Sequence, residues 1–190
     1  MVYRACITNQ KGGTGKTTVA VNVAGALAAR GWKVLLIDLD PQGYATEAAG
    51  LADAYDASPP TLHTILLGED TDGLADLVRT GNEFDVIPSN SDLVANNTET
   101  QLKQATAGEQ RLSRALDGLE AATDYDVILI DCPPGLGALT DNALLATQRV
   151  IIPAETKTTS MRALELLSDQ MDSLERFFDV DIQPVALVAN

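Results

Sequence analysis

NQKGGTGKTT, residues Asn9 to Thr18, stands between a short apolar run and a long stretch rich in alanine and valine. Gly15, Lys16 and Thr17 supply the end of a phosphate-binding loop, G-x-x-x-x-G-K-[ST]. The leading glycine of that pattern would fall at position 10, which is Gln10, and a second lysine, Lys11, comes one step later. Gly12 and Gly13 follow it. Backbone N–H groups of Gly13, Thr14, Gly15 and Lys16 are expected to wrap a β-phosphate at a helix N-terminus, where the dipole also favours an anion. Glycines allow the close backbone approach and the positive φ this needs. Lys16 is placed to reach the β- and γ-phosphates. The Thr17 hydroxyl is placed to bind Mg²⁺, and Thr18 to donate to the α-phosphate.

The flanks agree with this reading. Residues 2–8 (VYRACIT) read as a strand, Lys16 to Arg30 as a helix stopped by Gly31, and Lys33 to Asp38 (KVLLID) as a second strand. Strand, loop, helix and strand within about 40 residues make a βαβ unit. Residues 41–60 read as loop. Short helices are expected near 61–67 and 72–79, a strand at 84–87, and helices over 91–105 and 109–122. A strand at 125–130, a helix near 138–146, a strand at 149–152, a long helix from 159 to 177 and a strand at 184–189 complete the pattern. The alternation predicts an α/β fold, a doubly wound, mostly parallel sheet flanked by helices, as one domain over residues 1–190.

Composition narrows the class. Hydrophobic residues make up 45% of the 190 and aromatics only 4%, so the core is built from aliphatic side chains, as suits a parallel sheet. No apolar run is long enough for a membrane span, and chemistry-bearing sequence begins by residue 9, which leaves no room for a signal peptide. Cys6 and Cys132 form no C-x-x-C pair and read as small buried residues of a reducing cytoplasm. The net charge is −14, with 18 Asp against 9 Glu and only 5 Lys. Salt screens the self-repulsion of such a surface, so a halophilic source is expected. That charge also argues against a protein that coats DNA broadly. His63, the only histidine, reads as structural or exposed.

Two further motifs end apolar runs. Asp38-Leu39-Asp40-Pro41-Gln42-Gly43 sets two carboxylates on one side of an extended segment, and carboxylates at a buried strand end call for a cation or water. Ile128-Leu129-Ile130-Asp131 followed by Cys132-Pro133-Pro134-Gly135 is an apolar strand ending in a carboxylate suited to Mg²⁺.

K-G-G-T-G-K-T-T resembles the deviant Walker A loop of the signature-lysine P-loop ATPases, and D-x-D-P-Q-G with D-x-P-P-G resembles the ParA/Soj-type partition ATPases of the ParA/MinD family. The resemblance spans essentially the whole chain. It implies a Mg-ATP-dependent dimerising switch acting in plasmid or chromosome partition or cargo positioning. Its cofactors are ATP and Mg²⁺, and a ParB-like partner stimulates its slow hydrolysis. By the same resemblance Lys11 reaches the nucleotide of the other subunit in the homodimer, Asp40 orients the attacking water, and Asp38 joins Asp131 in supporting the magnesium. Asn190, after the last strand, is implied to read adenine. Pro153-Ala154-Glu155 and Thr158 to Arg162 are placed like the segment lining the dimer face, in wording nearer the MinD branch; Glu155 contacts a ribose, a partner subunit or the helix dipole. The family's further helices, which carry nonspecific DNA contacts or membrane attachment, are not evident, so the chain reads as truncated or minimal. Cytoplasmic location follows, nucleoid-associated if DNA is bound, with no membrane. The alternatives are a MinD-like ATPase cycling on a membrane or scaffold, a synthetase of the same fold, and an iron–sulfur reductase using Cys132.

Overall fold

The computed structural model describes residues 2–68, 73–156 and 159–190. In chain order, β1 (Tyr3–Ile7) leads through the glycine loop to α1 (Lys16–Ala28), β2 (Val34–Asp38) and α2 (Tyr44–Ala48). Then come α3 (Leu62–Leu67), β3 (Arg79–Thr80), β4 (Asp85–Ile87), α4 (Asp92–Ala95), α5 (Thr98–Gln104) and α6 (Arg111–Ala122). β5 (Val127–Asp131), α7 (Ala138–Thr147), β6 (Arg149–Ala154), α8 (Thr159–Phe178) and β7 (Gln183–Ala189) finish the chain. The seven strands form one sheet in the order β3-β4-β2-β5-β1-β6-β7, parallel except for the β3–β4 pair. The expected doubly wound α/β sheet is therefore the fold observed.

Each face of the sheet carries its own core. Ala20 and Ala24 of α1 pack with Ala5, Ile7, Leu36 and Leu129 on one face. Their small side chains bring the helix close to the sheet. The other face is thicker, with Leu66, Leu102, Leu112, Leu116, Leu144 and Leu167 of five helices over Leu35, Ile37, Ile128 and Ile130. β2 and β5 are buried along their whole length, as expected of central parallel strands covered on both faces. Cys6 and Cys132 are free thiols inside the thicker core.

Three expectations need correction. Residues 41–60 are not all loop: α2 and a 3-10 turn at Ala52–Ala54 form there, because Gly43 supplies a left-handed turn (φ 69) that starts α2. The helix expected over 91–105 is two, α4 and α5, broken where Asn97 adopts φ 51, a left-handed conformation asparagine tolerates. The short antiparallel strand β3 lies where the end of a helix was expected; a 3-10 turn at Leu74–Leu77 precedes it, and residues 69–72 fall outside the described set. His63 is buried, and its Nδ1 pairs with Thr98 Oγ1 at 2.7 Å, a structural role.

Candidate nucleotide site

Three strand ends meet at one level. Asp38 closes β2 and sits opposite Asp131, the last residue of β5, and Asp131 sits opposite Ile7, the last residue of β1. The glycine loop leaves β1 at that level. The loop and both aspartates therefore arise at the carboxyl ends of three adjacent strands, where open α/β sheets bind ligands.

Asn9 fixes the start of the loop. It is fully buried; its Nδ2 donates to the Pro153 carbonyl (2.6 Å) and its Oδ1 accepts the Lys11 N–H (3.0 Å). Thr14 Oγ1 donates to the Lys11 carbonyl at 3.3 Å. Gly13 and Gly15 adopt φ 77 and 83, where a side chain is strained. A Cβ on Gly15 would also lie 2.8 Å from the Asn190 Nδ2. Gly15 caps α1 without a side chain, and the first turn of α1 holds no acid. The N–H groups at the start of α1 are thus left to an anion, with no carboxylate competing for them.

The charges in the floor are unbalanced. Asp131 is fully buried and neither of its carboxylate oxygens accepts a hydrogen bond of good geometry among the described residues. Burial pushes its pKa up to about 7; the nearby Thr17 hydroxyl and Lys16 work against that shift, and Asp38 and Asp40 add to it. Asp38 is also fully buried. Its Oδ2 accepts both the N–H and the hydroxyl of Thr46 at 2.7 Å, while its Oδ1 has no hydrogen bond among the described residues. Burial lifts its pKa to about 6. Asp40, 7% exposed, accepts the Gln42 N–H at 3.0 Å, and burial raises its pKa. Lys16 is 6% exposed and donates to the Lys11 carbonyl at 3.4 Å; burial lowers its pKa against the pull of Asp131 and Asp40. A buried carboxylate without partners is costly unless something cationic joins it. The described residues form no cage of three metal-ligating carboxylate, imidazole or thiolate groups. Two strand-end carboxylates beside a threonine hydroxyl fit Mg²⁺, which binds through one or two carboxylates, with waters and phosphate oxygens as its other ligands.

Above this floor lies a cleft of about 500 Å³, lined by Gly12, Gly13, Gly15, Lys16, Thr17, exposed Thr18, Asp40 and Pro134. Residues of all three motifs thus meet at this cleft and its floor, whereas Gln10 and Lys11 line a separate groove, and the Lys11 Nζ pairs with Glu155 Oε2 at 2.7 Å. Asn190 reaches the loop as well, with its Nδ2 donating to the Thr14 carbonyl at 3.4 Å. Thr158, placed on the expected dimer face, lies outside the described residues; Arg162 lies in α8.

Several positioning residues carried no sequence signal. Ser89 Oγ donates to the Asp40 carbonyl (2.6 Å), and the Ser89 N–H donates to Thr46 Oγ1 (2.9 Å). Ser89, just past β4, thus braces Asp40 directly and Asp38 through Thr46. Glu99 of α5 accepts the N–H groups of Ala138 and Leu139 at the start of α7, fixing the far end of the loop that follows Asp131. These contacts span tens of residues, and no local pattern announces them.

The comparisons place the chain. The family model described as "AAA domain" matches residues 4–183. The chain is 39% identical over 178 residues to the sporulation initiation inhibitor protein Soj of Bacillus subtilis, covering 93% of this chain and 67% of Soj. It is 41% identical over 170 residues to the chromosome partitioning protein ParA of Caulobacter vibrioides, covering 90% of this chain and 61% of that protein. The chain thus spans about three fifths to two thirds of the length of these relatives. Among solved structures it resembles cobyrinic acid a,c-diamide synthase from Mycobacterium smegmatis with bound ADP and magnesium, at TM-score 0.84 and 33% identity over all of this chain and 74% of that one. No helix among the described residues is long and apolar enough to cross a membrane. On its glycine loop, its paired strand-end aspartates and these matches, the chain belongs to the AAA-domain family and, within it, to the ParA/Soj-type partition ATPases.

Proposed function

We propose that this chain, a single domain over residues 1–190, is a Mg-ATP-dependent switch that dimerises on ATP, engages a cargo or nucleoid surface, and is reset by hydrolysis when a ParB-like partner binds. One observation carries the reading. Asp131 is fully buried, and among the described residues neither of its oxygens has a hydrogen bond of good geometry; it lies opposite half-paired Asp38, beside a buried lysine and a helix start without acid. Such a floor is complete only with a cation and a phosphate on it.

The roles follow from placement. The loop N–H groups from Gly13 to Lys16 hold the β-phosphate, Lys16 draws charge from the β- and γ-oxygens, and Thr18 reaches the α-phosphate. Thr17, Asp38 and Asp131 would hold Mg²⁺, which when bound neutralises charge on the phosphate oxygens. Asp40, made more basic by burial, accepts a hydrogen bond from the water that attacks the γ-phosphorus. The bond to ADP breaks as that water bonds, and the water's proton leaves with phosphate. Lys11, offered to the facing subunit, supplies charge as an arginine finger does. Asn190, already against the loop, lies where it can turn to a base. Nonspecific DNA contact would come from parts that relatives have beyond the matched length.

A second reading comes from the likeness to the synthase, which would make hydrolysis serve amide formation. The identity to ParA and Soj is higher, which favours the switch. A MinD-like cycle on a membrane or scaffold is the remaining variant of the switch. Calorimetry with Mg-ATP, followed by turnover assays, tests the whole. Lys16→Ala is expected to weaken ATP binding at least 100-fold, and Asp40→Ala to keep ATP while turnover falls about 100-fold or more. Turnover that starts only when a carboxylic acid and an amide donor are added would replace the switch with the synthase.

A further inference from the structure

We infer that Glu155 is a positioning residue that parks Lys11 on its own subunit, so that ATP-driven dimerisation must first break this ion pair. The inference rests on the dimerising-switch reading of the site. It comes from where Lys11 lies. Gly12 and Gly13, which follow it, line the nucleotide cleft, and Lys16, five residues on, points into the floor. Lys11 turns away: its Nζ meets Glu155 Oε2 at 2.7 Å, just past the end of β6.

The anchor points at both ends are rigid. Asn9 ties the loop start to β6 through the Pro153 carbonyl, two residues before Glu155, and accepts the Lys11 N–H. The Lys11 carbonyl accepts from Thr14 Oγ1 and Lys16 Nζ. The Lys11 backbone is therefore held at its N–H and its carbonyl, and only its side chain is left to move. With side chains 34% and 22% exposed, the pair is neither buried nor fully solvated. It is strong enough to hold a resting position and weak enough to yield to a phosphate, which carries more negative charge than one carboxylate.

The same spot is a surface. Lys11 borders a groove of about 370 Å³ with Gln10, Arg162, Ala163 and Leu166, and Met161 beside it is 60% exposed. Two cations close together are notable on a chain with 13 of them against 27 acids. Glu155 quenches one of the two while the subunit is alone. On release, Lys11 points out of this face toward whatever anion a second copy brings. A lone subunit is thereby kept from offering its finger to free phosphates, and dimerisation is tied to ATP on the opposite side.

Two measurements on the nucleotide-free and ATP-bound protein decide it. The first is competitive acetylation of lysine amines by acetic anhydride, read by mass spectrometry, without nucleotide. Glu155→Gln is expected to speed labelling of Lys11 two- to fivefold, about the factor a partly exposed ion pair is worth, with Lys103 unchanged. Glu155→Asp, one methylene short of the contact, should move the same way. The second is sedimentation across an ATP titration, where Glu155→Gln should lower the ATP concentration for half-dimerisation by a similar factor. Unchanged Lys11 labelling in both variants overturns the parking contact. Faster labelling with an unmoved dimerisation midpoint overturns its control of assembly. A wild-type protein that stays monomeric with ATP instead sinks the switch reading, and the labelling result still decides where Lys11 rests.

Discussion

β5 and β7 read alike in the sequence and live in opposite surroundings. Val127-Ile128-Leu129-Ile130-Asp131 and Pro184-Val185-Ala186-Leu187-Val188-Ala189 are both apolar runs of strand length. In the fold, β5 is buried at every position in the middle of the sheet. β7 is an edge strand, its side chains exposed or half-exposed throughout, with Leu187 at 65%. The difference shows what each apolar run does. In β5 burial on both faces serves two ends, since it carries the core and it drives a carboxylate into a place where, among the described residues, it has no hydrogen bond of good geometry. The site's chemistry is a by-product of depth. In β7 the apolar side chains add little to the fold of the described chain, and Phe177, on α8 ahead of it, is 82% exposed. Long exposed apolar edges invite pairing with another strand.

The sharpest way to break this contrast is to truncate matching leucines. Leu129→Ala, at 1% exposure, is expected to cost about 2–5 kcal/mol in chemical denaturation. An effect under about 1 kcal/mol would mean that β5 is not the central strand.

The next largest effect sits at the end of the same strand. Asp131→Asn should raise the stability of the nucleotide-free protein by about 1–3 kcal/mol above pH 7 while removing ATP turnover. The sign follows from a folded-state pKa of about 7 against an ordinary value of 3.8. Below about pH 4 the carboxyl is protonated folded or unfolded, so it carries no charge penalty. As pH rises through that window the folded state is increasingly penalised, and the penalty is complete above about pH 7. The gain from asparagine should therefore grow from near zero at pH 4 to its full value at pH 8. Lys16, whose charge Asp131 helps to offset, trims it. Thermal melts across pH with no such trend would show that Asp131 has a partner after all.

Much of this was legible in the sequence because it is local. A glycine loop between a strand and a helix, and an aspartate ending an apolar run, are written in consecutive residues, and the chain directions of a parallel sheet bring them together. What was not legible depends on distance. Thr46 on Asp38, Ser89 on Asp40 and Glu99 on the start of α7 join segments separated by 8, 49 and 39 residues. Glu155 was visible as a residue of interest but not as the partner of Lys11, 144 positions away. Burial of β5 against exposure of β7 is likewise decided by strand order, which hydrophobic pattern alone does not encode.

The smallest effect closes the contrast. Leu187→Ala should change stability by less than about 0.5 kcal/mol, since most of that side chain is already in water. Beside the loss expected for Leu129→Ala, such a result would confirm by denaturation that two similar strands carry unequal loads. A cost above about 2 kcal/mol would mean that β7 is covered in solution.

The close fit of Gly15 against Asn190 has a consequence for inheritance. The Asn190 amide occupies the space a Cβ at position 15 would need, and it donates to the carbonyl of Thr14, 176 residues away. At position 15 the left-handed backbone (φ 83) already strains any side chain, and a Cβ there would also push the Asn190 amide off the Thr14 carbonyl. Two codons far apart in the reading frame are thereby coupled in variation, and a recombination event that falls between them must bring together compatible residues at positions 15 and 190.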